Sequence, residues 1–112
     1  MALPASLTSL SFGHDFDKPL DNVKWPAGLL DLSLEDSFDK PLDGVEWPAT
    51  LKTIAIGDGF DQPLEAVAWP PALKYLSLGA SFSQSLEDSL WPTALTTLAF
   101  GSRMGVNEVT RL

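Results

Sequence analysis

Apolar residues return along this chain at a constant interval. Leu7, Leu29, Leu51, Leu73 and Leu95 stand 22 residues apart. Leu10, Leu32, Ile54, Leu76 and Leu98 keep the same step, as do Phe12, Leu34, Ile56, Leu78 and Phe100. Phe16, Phe38, Phe60 and Phe82 make a further column, which Met104 continues. Trp25, Trp47, Trp69 and Trp91 make another, each followed by proline, with Leu3-Pro4 in that phase one copy earlier. Five copies tile the chain without an insertion, as 3–24, 25–46, 47–68, 69–90 and 91–112. Periods of 20–50 residues mark stacked repeat arrays. Residues 1–112 are therefore expected to form a single repeat domain.

Within each copy the polar positions show what the backbone does. The stretches "LTSLSF", "LLDLSL", "LKTIAI", "LKYLSL" and "LTTLAF" end in apolar residues alternating with small or polar ones. That alternation is the strand period of two, so Leu10 and Phe12 face one side, Ser9 and Ser11 the other. Gly13, Gly57, Gly79 and Gly101 follow, with Glu35 in the second copy, where extended geometry should end. The Phe turns inward again, and a proline then fixes the backbone. Trp-Pro opens the next copy in an extended shape. Two prolines per copy leave no room for a long helix. One copy cannot bury its own Leu, Phe and Trp, but stacked copies convert each column into a continuous apolar ladder.

The L-x-x-L-x-L strand resembles a leucine-rich repeat. The segments Phe16-Asp17-Lys18-Pro19-Leu20, Phe38-Asp39-Lys40-Pro41-Leu42 and Phe60-Asp61-Gln62-Pro63-Leu64, with a weaker Phe82-Ser83-Gln84-Ser85-Leu86, sharpen the likeness. Together they resemble the FNIP repeat, a leucine-rich-repeat relative with a Phe-Asn-x-Pro-[Ile/Leu] signature. The resemblance covers nearly the whole chain and implies an interaction module or scaffold with no shared catalytic activity. It departs by placing Asp where the family has Asn. Asp is expected to brace its turn by an Asx-type bond, with the stacked Asn amides lost. The expected fold is mainly β, a short right-handed leucine-rich-repeat-like solenoid of five coils with one parallel sheet and little or no helix.

Composition narrows the partners. Hydrophobic residues make up 45% and charged residues 20%, which suits a folded chain. The formal charge is −8, which repels phosphate backbones and anionic lipid surfaces. Neither nucleic acid nor direct membrane insertion is expected. No apolar run is long enough to cross a bilayer as a helix, and no secretory signal is visible. Absent cysteines exclude disulfides and thiolate chemistry and permit a reducing compartment, so an intracellular setting is favoured.

Candidate chemistry is thin. His14 is the only histidine, and one imidazole makes no zinc site. No G-x-S-x-G motif supports a triad with Asp15. Asp17, Asp39 and Asp61 share a column, as do Asp21, Asp43, Glu65 and Glu87. Stacked acids could hold calcium, but the G-G-x-G-x-D pattern of calcium-binding rolls is missing. Turn capping and a solvated rim are the expectation, with no metal, no cofactor and no enzymatic activity.

Two surfaces are left for binding. The outward sheet face carries Ser9, Ser11, Asp31, Ser33, Thr53, Tyr75, Ser77 and Thr97. It is small and mildly polar, with Lys52 and Lys74 nearby, and is the candidate partner-binding face. At the N-terminal edge Leu7, Leu10 and Phe12 are expected to lie open, to be covered by a second copy or another protein. The last copy replaces Pro with Asn107 and Leu with Glu108, a polar drift expected of a C-terminal cap. The expected function is a non-enzymatic protein–protein interaction module or scaffold. The alternative is a structural accessory subunit within a larger assembly, including one at a membrane.

Overall fold

A computed structural model describes residues 3–84, 91–101 and 107–111. Every regular element in it is a strand: β1 (Ser9–Ser11), β2 (Asp31–Leu34), β3 (Thr53–Ile56), β4 (Tyr75–Leu78), β5 (Thr97–Gly101) and β6 (Asn107–Arg111). They form one sheet in chain order, and β1 to β5 run parallel. Leu10 pairs with Leu32, Leu32 with Ile54, Ile54 with Leu76 and Leu76 with Leu98, so each residue faces its own counterpart. The chain is a β-solenoid of about 4 turns.

Three tight turns close each of the first three coils around that strand. In the second copy Leu29 N–H donates to Pro26 C=O, Phe38 N–H to Glu35 C=O and Val45 N–H to Leu42 C=O, each at 3.2 Å. These i to i+3 bonds are β-turns, and they recur one period later at Pro48–Leu51, Gly57–Phe60 and Leu64–Val67. A turn needs only four residues, so a 22-residue coil fits a strand and three corners without helix. The last residue of each of these turns is apolar and faces the core, which is why Leu, Phe and Val recur at fixed places.

The core is the stack of those residues. Leu20, Leu29, Phe38, Leu42, Leu51, Ile54, Phe60, Leu64, Leu73, Leu76 and Leu78 are wholly enclosed. Phe38 and Phe60 lie 6.1 Å apart with planes 5° from parallel, and Phe60 and Phe82 lie 6.2 Å apart at 2°. The tryptophans stack at 5.8, 6.2 and 5.9 Å from Trp25 to Trp91. Offset parallel rings of this kind add to the burial of their area. The indoles sit nearer the surface than the phenyl rings: Trp69 is buried at 7% exposure, and Trp25, Trp47 and Trp91 are half-buried. The N–H groups of Trp25, Trp47 and Trp69 are covered and meet no protein acceptor, so this ladder contributes through its rings.

The glycines after the strands act by space rather than by turn geometry. A Cβ on Gly57 would come within 2.6 Å of the Glu35 carbonyl carbon, and one on Gly79 would strike the backbone of Gly57 and Asp58. At the third and fourth coils the approach leaves no room for a side chain, whereas Glu35 holds this phase exposed in the second. Gly13 has no neighbour within 4 Å, because no described coil precedes it.

The fifth copy departs from the repeat after its strand. β6 runs antiparallel to β5, pairing Thr97 with Arg111 and Gly101 with Asn107, in the segment whose polar drift was expected of a cap. The copy carries Asn107 and Glu108 where the first three copies have proline and leucine. The backbone folds back as a hairpin and covers the C-terminal sheet edge, which is the work of a cap. Met104, Glu87 and Asp88 lie outside the described residues.

Phe60→Ala should lower unfolding free energy by about 3–5 kcal/mol in urea titration, since an enclosed ring leaves a cavity between two others. Gly79→Ala should cost about 1–3 kcal/mol by overpacking. Gly13→Ala, in open space, should stay within about 0.5 kcal/mol of the parent.

Candidate functional site

The sheet offers one continuous face away from the core. Ser9, Ser11, Asp31 and Tyr75 on it are exposed, and Ser33, Thr53, Ala55, Ser77, Thr97 and Ala99 are half-exposed. Tyr75, at 39%, is the exposed large hydrophobic side chain among the described residues. Lys52 and Lys74 flank it, also exposed. The Lys52 C=O accepts from both Lys74 N–H at 2.9 Å and Tyr75 N–H at 3.1 Å. This doubled bond recurs at Thr8, Leu30 and Lys74, so one carbonyl accepts two N–H groups at the entry of β2, β3, β4 and β5.

The face is hollow rather than flat. Equivalent rings on the aromatic side step 5.8–6.2 Å from coil to coil. Parallel strands stand about 4.8 Å apart. The coils therefore fan open away from the sheet, which lies on the inside of the curve. Small side chains in the row Ser11, Ser33, Ala55, Ser77 and Ala99 leave that hollow unfilled.

The turn side has a different architecture. Asp39 N–H donates to Asp17 Oδ1 at 2.9 Å, Asp61 N–H to Asp39 Oδ1 at 2.9 Å, and Ser83 N–H to Asp61 Oδ1 at 2.9 Å. Each carboxylate thus accepts from the same backbone position one coil later. The expected Asx-type brace within its own turn gives way to a bond between coils. The next residue joins it: Gln62 Nε2 reaches Asp39 Oδ1 at 3.0 Å and Gln84 Nε2 reaches Asp61 Oδ1 at 3.1 Å. Lys40 Nζ lies 3.7 Å from Asp17 Oδ2, an exposed ion pair of small energetic weight. A parallel ladder links Asp58 N–H to Asp36 Oδ1 at 3.2 Å and Ala80 N–H to Asp58 Oδ1 at 3.0 Å. Asp21, Asp43 and Glu65 stay exposed as the expected solvated rim.

Oxygens occupied in this way do not converge on a cation. Among the described residues no three of His, Cys, Asp and Glu come together as metal ligands. His14 is exposed at its turn. A groove of about 610 Å³ beside Trp25 is lined by Asp21, Lys24, Glu46 and Pro48, surface groups of mixed charge. No helix among the described residues is long and apolar enough to cross a membrane.

At the N-terminal edge the expected trio separates. Phe12 is buried at 7%, stacked on Phe16 at 4.3 Å and edge-on to Trp25 at 6.3 Å. A ring in place of the leucine or isoleucine of later coils reaches its neighbours and is covered by them. Leu7 and Leu10 remain half-buried.

Residues 60–103 match the FNIP Repeat model. The resemblance to FNIP repeats is borne out over that stretch. No curated protein matches it. The signal that sequence reasoning missed was the pairing of Asp with Lys or Gln at the following position: Lys40, Gln62 and Gln84 each bind the carboxylate of the preceding FNIP coil.

Asp39→Ala should cost about 1–2 kcal/mol in chemical denaturation, because Asp61 N–H and Gln62 Nε2 lose their shared acceptor. Asp39→Asn keeps an Oδ1 acceptor and should recover most of that loss.

Proposed function

We propose that this protein is a non-enzymatic protein-interaction module that holds a partner against its concave sheet face. Ser9, Ser11, Asp31, Ser33, Thr53, Tyr75, Ser77 and Thr97 are the contact residues of this reading. The observation that carries it is the combination of a hollow, small-residue face with one exposed aromatic at its centre. Tyrosine is enriched in protein interfaces because it buries a large area and keeps a polar end. Lys52 and Lys74 beside it give the face positive charge on a chain of net charge −8, which favours a partner carrying acidic groups. The FNIP match supports an interaction role, since these repeats are not known as enzymes.

A second reading makes the chain a structural accessory subunit of a larger assembly. It rests on the outer edge of β1, which pairs only with β2, and on half-buried Leu7 and Leu10 beside it. Such a subunit would contribute shape and rigidity, with its edge closed by a neighbour.

The two readings separate by mutation. Tyr75→Arg with Ser77→Arg should leave the circular dichroism spectrum and melting temperature close to the parent. Co-purification from the native source should then lose its major bound protein at least tenfold if the sheet face is the contact. Full retention of that protein by the double variant would reject the sheet-face reading and favour the edge.

A further inference from the structure

Two Asp-Gly pairs hold the same place in two different corners. Asp43 and Gly44 are the central residues of the turn closed by Val45 N–H on Leu42 C=O. Asp58 and Gly59 are the central residues of the turn closed by Phe60 N–H on Gly57 C=O. Glycine has no Cβ to shield its nitrogen, so the carboxyl group of a preceding aspartate can reach it and close a five-membered ring. At the first of these corners the neighbouring copies lack the pair, with Asp21-Asn22 and Glu65-Ala66 in its place.

The stack treats the two pairs differently. Asp58 Oδ1 accepts from Ala80 N–H at 3.0 Å, the Asp58 N–H donates to Asp36 Oδ1 at 3.2 Å, and its C=O accepts from Ser81 N–H at 3.1 Å. Gly59 is pressed against the preceding coil, where a Cβ would strike the Asp36 carbonyl oxygen. Asp43 and Gly44 are both exposed. Among the described residues, neither the Asp43 carboxylate nor the Gly44 N–H has a hydrogen-bond partner. A Cβ on Gly44 would meet only Asp21 Cβ, at 3.4 Å, so this corner has space to move.

We infer that Asp43 is a site of spontaneous isomerisation to isoaspartate, and that the inter-coil bonds of Asp58 withhold it from the same reaction. The Gly44 nitrogen attacks Cγ of the protonated Asp43 carboxyl group. The N–Cγ bond forms, the Cγ–OH bond breaks, and the hydroxyl leaves with the amide hydrogen as water. Solvent water then adds to the main-chain carbonyl carbon of Asp43 and breaks its bond to the Gly44 nitrogen. The chain now runs through Cγ, one methylene longer, and the old main-chain carbonyl has become the free carboxyl group. At Asp58 ring closure must first break the bond from Ala80 N–H. The added methylene lies between buried Leu42 and Val45, in a corner that fixes the length of the coil, so it acts on the register of the stack. This chemistry goes beyond sheet-face binding and does not depend on it.

The test incubates folded and guanidinium-unfolded protein side by side in mildly acidic buffer. Peptide mapping with electron-transfer fragmentation then counts isoaspartate at each position. Relative to the unfolded chain, the rate at Asp58 should fall at least about fivefold further than the rate at Asp43, the factor that one hydrogen bond supplies. Gly44→Ala, which the open corner accommodates, should remove most of the Asp43 signal and leave Asp58 as it was. Equal slowing of the two sites by folding, or stronger slowing at Asp43, would overturn the inference. An undiminished Asp43 signal in Gly44→Ala would do the same. Tyr75 and Ser77 take no part, so this outcome and that of the sheet-face test are told apart.

Discussion

Every contact in this molecule depends on one condition: after 22 residues the chain must return one strand spacing higher and in the same rotation. The paired residues from β1 to β5 all meet it. A slip of one residue in any coil would turn Leu and Ile of that strand to solvent and bring Ser or Thr into the core. It would also separate each phenyl ring from the next and move every ladder N–H off its carboxylate. The three turns per coil hold the return to a fixed length, and the prolines limit the paths between them. Register is therefore enforced locally, by corners, and rewarded globally, by stacking.

The apolar part of this scheme was legible before any coordinates. A column of Phe or Leu must be buried somewhere, and a strict period leaves its own counterparts as the neighbours. The polar part was less legible, because its partners are backbone groups of another coil. Asp17, Asp39 and Asp61 read as turn residues when one copy is considered alone. Only the stack places the N–H of the next copy 2.9 Å from each carboxylate. The same holds for Gly57 and Gly79, whose small size answers the backbone of the coil before. Phe12 read as an open edge residue for the opposite reason: its column neighbours are smaller, so its reach across to Phe16 and Trp25 was not implied by the repeat. At the far end Asn107 and Glu108 announced a break in the pattern, but not that the backbone would reverse into β6.

Sheet side and turn side contribute in different ways. On the sheet side main-chain bonds satisfy the backbone, which frees the outward side chains from any structural task. Those positions vary from Ser to Asp, Thr and Tyr without disturbing the register. On the turn side the side chains themselves complete the inter-coil bonding, and substitution there is constrained. The candidate contact face is thus the part of the surface where the fold places the fewest demands, which is why function was weakly legible in it.

Direction is the last consequence of stacking like on like. A purely apolar stack would have two equivalent ends, each able to meet any other. A hydrogen bond is not symmetric, so a ladder of them gives the stack a donor end and an acceptor end. In this chain every described rung runs the same way, from the N–H of one coil to the carboxylate of the coil before it.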